Sequence, residues 1–333
     1  MPRLPRPPLP RRAARSRTDG IPHVAEPDTP NVEVVEAEGL RWINIERPRQ
    51  IDRAWLEEHF DFHPLDYEDV FSRNQRPKVD EYEGYLFVVL HFPVFDKRVN
   101  RLNGAEVDIF VGPDFIITLP NEGLQPLQYL FDRCRTNEDI REDMFSKGAG
   151  YLLYKIVDAC VDASFPMLRK MGLKLERLEQ AIFEEEANRE IVRDLSNAKQ
   201  EIINFRKIVR PQRVALKDLE RTKRYVTGEL DIYFDDINDA SERVWDMLEN
   251  FKEVIEGLEN TNEAVLSHRL NDSIRVLTAF SVIMLPLTLI ASVLGMNVGV
   301  PGEGSLHAFW ITIAVMLSVL TGMVLWFRRR GWL

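Results

Sequence analysis

The residues able to do chemistry gather in one stretch, Asn271 to Asn297. Read at spacings of 3 and 4, it gives Asn271, Ile274, Thr278, Ser281, Leu285, Thr288 and Ser292, positions that share one face of an α-helix. Most of these are polar, whereas Val276, Ala279, Phe280, Val282, Ile283, Leu289, Ile290 and Val293 fill the other faces. From Ile274 to Met296 the only charge is Arg275, and a helix crosses a bilayer core in about 20 such residues. Lipid cannot satisfy a polar stripe, so the stripe must face protein or water. One helix cannot enclose water. Two readings follow: a pore lined by this helix from each subunit of a homo-oligomer, or hydroxyl residues packed against a neighbouring transmembrane helix.

The end of the stretch separates them. Gly295-Met296-Asn297 closes the helix, a short polar loop follows, and a second apolar run extends from Ala308 to Phe327 before the basic cluster Arg328, Arg329 and Arg330. Asn271, Arg275-Val276-Leu277-Thr278, Leu285-Pro286-Leu287-Thr288 and Gly295-Met296-Asn297, placed ahead of a second span, resemble the CorA family of divalent-cation channels. Gln75-Arg76-Pro77-Lys78 and Tyr82-Glu83-Gly84-Tyr85 resemble its soluble domain.

The resemblance implies a funnel-shaped homopentamer that passes Mg²⁺, and also Co²⁺ or Ni²⁺, with the cation as substrate and regulator and no other cofactor. It implies a selectivity filter at Gly295, Met296 and Asn297, in which a ring of Asn297 amides meets the ion and the other two shape the loop. A neutral ring suits Mg²⁺, which gives up its water reluctantly, because release matters as much as entry. Asn271 repeats the ring at the cytoplasmic mouth, and Ile274, Leu277 and Leu285 are the apolar constrictions that close by dewetting. The resemblance also places a regulatory divalent ion at Asp236, among Asp235, Asp236 and Asp239, with Asp96 of a neighbouring subunit as its partner. Each assignment has a plainer counterpart: a helix C-cap at Asn297, helix packing along the stripe, and a solvated helix start favoured by the dipole at Asp236.

The loop Val298-Gly299-Val300-Pro301-Gly302-Glu303 departs from the magnesium-type pattern and resembles the zinc-transporting ZntB-like branch. A Zn²⁺ transporter, with or without proton coupling, is therefore the alternative. Against it, the stripe holds no His or Cys, the ligands zinc prefers. A reading of another class is a membrane-anchored sensor that transports nothing. An anchoring span needs neither the stripe nor Gly-Met-Asn.

The chain has 333 residues, 45% hydrophobic and 29% charged, with a formal charge of -10. That balance argues against nucleic acid as a partner. Cys134 and Cys160 make no metal motif or disulfide framework and read as reduced thiols. No nucleotide loop, nucleophile elbow or Cys/His metal pattern is present, so the sequence points to no enzyme. Residues 1 to 30, rich in Pro and Arg, read as a disordered tail. Short strands and helices over 31–147 predict an α/β cytoplasmic domain. Strands are expected at Val32–Val35, Leu40–Ile45, Tyr85–Phe92, Val107–Val111 and Phe115–Leu119, and helices at Asp52–Phe60 and Pro64–Phe71. Residues 148–230 read as a helical hairpin, with one helix from Gly150 to Ile182 and another from Glu190 to Thr227. One continuous helix is expected over 231–294, as stalk and then first span; its seam Val244, Leu248, Phe251, Ile255 and Leu258 has coiled-coil spacing. The loop is 295–307, the second span 308–327 and the basic tail 328–333. His268, Arg269, Arg275 and Arg328–Arg330 flank the spans while 298–307 has no Lys or Arg, which predicts a two-span protein of the plasma membrane with both termini cytoplasmic.

Overall fold

Six strands and nine helices form among the residues described by the computed structural model, which are 29–72, 75–96, 101–184, 189–222, 225, 229–296, 299 and 305–332. The strands are β1 (Glu33–Ala37), β2 (Leu40–Asn44), β3 (Lys78–Glu81), β4 (Leu86–Asp96), β5 (Arg101–Val111) and β6 (Phe115–Pro120). They make one sheet in the order β1-β2-β6-β5-β4-β3, antiparallel except for the β2–β6 pair. Glu38 and Gly39, both with positive φ, turn β1 into β2. At Gly112 a side chain would meet the Phe115 ring at 2.2 Å, so any larger residue in the β5–β6 turn would have to displace that ring.

Alternation along the strands splits the core into two faces. Trp42, Leu86, Val88, Leu90, Val107 and Ile109 pack with Phe131, Leu152, Ile156, Leu219 and Phe234, residues of α3 (Gln125–Thr136), α5 (Ala149–Asp162), α7 (Arg189–Arg221) and α8 (Asp231–Leu294). Phe87, Val89, Phe110, Ile117 and Leu119 pack with Leu56 of α1 (Gln50–His59), Tyr67 and Val70 of α2 (Pro64–Phe71), and Phe62 between the two. The short α4 (Glu138–Phe145) completes the first layer. From Leu86 to Leu90 β4 is buried on both faces, which explains the apolar run there.

The Arg76-Pro77-Lys78 and Tyr82-Glu83-Gly84-Tyr85 motifs are a structural lock. Lys78 Nζ pairs with Asp69 at 2.7 Å and Asp80 at 2.5 Å. The Tyr82 and Tyr85 hydroxyls donate to Asp66 at 2.9 and 2.6 Å, fixing α2 to the sheet. Burial pushes the Asp66 carboxyl up, and the two tyrosine hydrogen bonds oppose that.

Asp108 of β5 is fully buried, and neither of its carboxylate oxygens has a hydrogen-bond partner. Burial first, then Glu106 and Asp69, push its carboxyl well above the usual range, with Lys78 opposing. The folded protein therefore holds a proton there that the unfolded chain releases above about pH 4. Stability falls as pH rises from that point towards the folded pKa, by at most about 1.4 kcal/mol per pH unit. Asp108→Asn should match wild type near pH 4 and gain on it with rising pH, as thermal unfolding in detergent against pH will read.

Where one helix was expected from Gly150 to Ile182, the chain makes two, α5 and α6 (Ser164–Phe183), meeting at Ala163. Pro166 is the reason. It lacks an N–H and its ring clashes with the carbonyl four residues back, so a break just ahead of it is favoured, and Pro166 sits in the first turn of α6. The next helix, α7, ends at Arg221 rather than Thr227 and runs through Pro211. Helices α6, α7 and α8 bury Leu168, Leu175, Ile202, Phe205, Val244, Leu248, Ile255 and Leu258 together; Phe251 of the expected seam is only partly buried. Ion pairs Arg206–Glu249 at 2.5 Å, Lys199–Glu259 at 2.6 Å and Arg213–Glu242 join α7 to α8. The seam is expected to resume at Leu266, Leu270 and Ile274, but these are exposed in the single chain.

Candidate functional site

Helix α8 continues without a break to Leu294, and Pro286 lies within it. It and α9 (Leu306–Arg329) are each long and apolar enough to cross a membrane. They meet through Ala279 and Ile283 of α8 and Leu320, Met323, Val324 and Phe327 of α9. Pro286, Leu287 and Ile290 of α8 are also partly covered. At 100° per residue, Ser281, Leu285, Thr288 and Ser292 lie roughly 140–180° round the helix from Ile283. Ile274 and Thr278 fall in the same sector, with Asn271 and Leu277 on its flanks. All eight are exposed. The polar stripe thus faces away from the partner helix, and packing against α9 does not account for it.

The hydroxyls have a defined geometry. Ser281 Oγ donates to the Leu277 carbonyl and Thr288 Oγ1 to the Met284 carbonyl, both at 2.9 Å. With their protons used on the helix, these oxygens present lone pairs outward, the polarity a cation or its water can use. Between them Leu285 is 69% exposed, a large apolar surface interrupting the hydroxyls.

The helix stops at Gly295, whose N–H donates to the Ala291 carbonyl at 3.0 Å. A side chain there would come within 3.1 Å of that carbonyl, so the turn is crowded for anything larger than glycine. Met296 is exposed. Asn297 and the loop residues 298 and 300–304 lie outside the described residues, as do residues 1–28 of the Pro/Arg-rich tail.

The acidic residues fall into two places. Asp96 is partly buried at the end of β4, opposite Arg101. Asp236 is exposed in the second turn of α8, where that helix packs on α5. Asp158 and Asp162 of α5 share its surroundings. Burial, then Asp162 and Asp236, raise the Asp158 carboxyl above its ordinary value. Tyr154 beside them is pushed up to about 12 by burial and by the charges of Asp158 and Asp236. Among the described residues of one chain, no three His, Cys, Asp or Glu side chains come close enough to hold a metal ion. Sequence reading missed Asp158 and Asp162; their spacing of four on one helix was the available signal. Cys134 and Cys160 are both buried and unpaired, and burial lifts the Cys134 thiol to about 11.

A family profile described as CorA-like Mg2+ transporter protein matches residues 37–329. The cobalt/magnesium transport protein CorA of Thermotoga maritima is 31% identical over 297 residues, which cover 88% of this chain and 83% of that protein. In three dimensions, the complete CorA magnesium transporter of Methanocaldococcus jannaschii matches with a TM-score of 0.79 at 21% identity, over 90% of this chain and 93% of the other. Full-length CmaX matches at 0.71 and 20% identity, over 91% and 99%. The α/β domain, the long helix and the following apolar helix are common to that fold.

Proposed function

This chain belongs to the CorA family, and from that premise we propose that it is a homo-oligomeric transporter of divalent cations, Mg²⁺ first, with α8 of each subunit lining the ion path. The observation that carries the proposal is the stripe of Asn271, Thr278, Ser281, Thr288 and Ser292 on the side of α8 opposite α9. An anchor or a sensor has no use for outward hydroxyls there, since lipid would meet them. Asn297 forms the outer filter with Gly295 and Met296 shaping its approach, Asn271 forms the inner ring, and Ile274, Leu277 and Leu285 close the path when dry. Both ends of the chain face the cytoplasm, on the side of Arg269, Arg275 and Arg328–Arg330. The chain assembles as a pentamer.

The zinc reading rests on Val298–Glu303, a sequence that departs from the magnesium type. One experiment weighs it: purified protein in liposomes loaded with ion-sensitive dyes and offered Mg²⁺, Co²⁺, Ni²⁺ and Zn²⁺ in turn. Mg²⁺ influx above that of empty liposomes is the expected result. Zn²⁺ entry alone selects the alternative, and entry of none rejects transport.

Regulation follows from Asp236. With Asp96 of the next subunit it shares a divalent ion, and the crowded charge of Asp158 and Asp162 supports a cation there, because carboxylates brought close repel without one. The ion holds neighbouring subunits together while the cell is replete, and α8 passes its loss to Ile274 and Leu285. Asp236→Lys supplies a fixed positive charge instead. Millimolar Mg²⁺ should slow proteolysis of wild type several-fold, while the variant is protected with or without it. Digestion of wild type that ignores divalent ions removes the regulatory site.

A further inference from the structure

The end of α9 carries Arg328, Arg329 and Arg330 in sequence, all exposed. Among the described residues no carboxylate forms an ion pair with any of the three, and α9 itself contains no Asp or Glu. The common structural use of such residues is to cap the last carbonyls of a helix. Here the Trp326, Phe327 and Arg328 carbonyls are already taken by backbone groups. The Arg330 N–H donates to the Trp326 and Phe327 carbonyls, both at 3.1 Å, and the Gly331 N–H to the Arg328 carbonyl at 3.2 Å. Gly331, at φ +69°, then turns the chain back, and the Trp332 N–H donates to the Phe327 carbonyl at 3.0 Å. Among the described residues no hydrogen bond or ion pair takes the three guanidinium groups.

The same turn gathers aromatic rings at that level. Trp332 lies 5.6 Å from Phe327, and the Arg330 guanidinium sits 5.1 Å over the Trp326 ring. Both indoles are partly exposed, the amphipathic character found at headgroup depth. Phe327 is 3% exposed, wedged against Ala279 and Ile283 of α8. Arg275 stands one turn before Ala279, about 6 Å along the helix, so a fourth guanidinium belongs to the same level. It is paired to Asp272 at 3.4 Å.

We propose that Arg328, Arg329 and Arg330, with Trp326 and Trp332, bind the headgroup of an anionic phospholipid at the cytoplasmic leaflet. Guanidinium forks match phosphate oxygens, the indoles supply the interfacial contact, and basic positions between spans on this side suit such lipids. The site rests on the reading that α8 and α9 cross the bilayer. It lies one contact, through Phe327, from the helix that lines the ion path.

The test is native mass spectrometry of the full chain in detergent micelles, titrated with phosphatidylglycerol or phosphatidylcholine. Wild type should retain phosphatidylglycerol in preference, and excess inorganic phosphate should not displace it. The triple variant R328Q/R329Q/R330Q should lose phosphatidylglycerol by on the order of tenfold or more, with phosphatidylcholine unchanged, while R328K/R329K/R330K keeps most of it. The same spectra report whether each variant assembles. Should the triple variant fail to assemble, R329Q alone should still show a partial loss. Wild-type retention by the Gln variants, or displacement by phosphate, overturns the lipid site. No ion flux enters these measurements, so the result stands apart from the outcome of the transport assay.

Discussion

Asn297→Ala should reduce Mg²⁺ uptake to the level of protein-free liposomes while leaving assembly unchanged. The residue follows the point where α8 ends, at Gly295 and Met296. In the proposed function, a ring of amide oxygens at that place would hold the waters of an arriving ion, and methyl groups would hold none. Because Mg²⁺ keeps its first water shell, losing the outer acceptors removes recognition without opening a wider hole. Assembly depends on other surfaces and should not change. Dye influx in liposomes, paired with gel filtration of the same preparation, separates the two effects. Uptake at the wild-type rate assigns Asn297 to helix capping alone.

Leu285→Ser has the opposite effect and should raise resting flux several-fold. Leu285 is 69% exposed on the stripe, between hydroxyls that donate to helix carbonyls and keep their lone pairs for a partner outside. An apolar ring in a narrow path blocks ions because water leaves it. A hydroxyl at each subunit gives water a partner and lowers that barrier. The new serine can also donate to the carbonyl four residues back, as Ser281 and Thr288 do, so the helix tolerates it. Flux measured without a stimulus decides the matter, and an unchanged rate moves the closed point to Ile274 or Leu277.

The long helix was readable because nothing between Leu258 and Pro286 interrupts it, and the polar stripe because its period is 3.6 over more than five turns. Which face of α8 meets α9 was not readable. Helix α9 is apolar nearly all round, and a helix without a polar side does not declare its orientation. Strand β3 escaped notice because Lys78-Val79-Asp80-Glu81 is short, charged and at the sheet edge, where pairing rather than burial makes it a strand. The break at Ala163 was hidden in an apolar period that runs through Pro166. At the acidic site, Asp236 was found by resemblance. Asp158 acquires meaning only once α5 packs against α8, a contact no local pattern encodes.

In the proposed function the stripe of α8 faces water inside the assembly. Buried Cys134 and Cys160 leave an introduced thiol as the reactive one. Ser281→Cys and Thr288→Cys would be compared with Val315→Cys, on the side of α9 turned from its contact with α8. Each full-length variant in liposomes is exposed to a charged thiol reagent that cannot enter lipid, at low divalent ion. Reaction is expected at 281 and 288, slowed by added Mg²⁺, and none at 315. If 281 and 288 are as unreactive as 315, α8 does not line a path for ions.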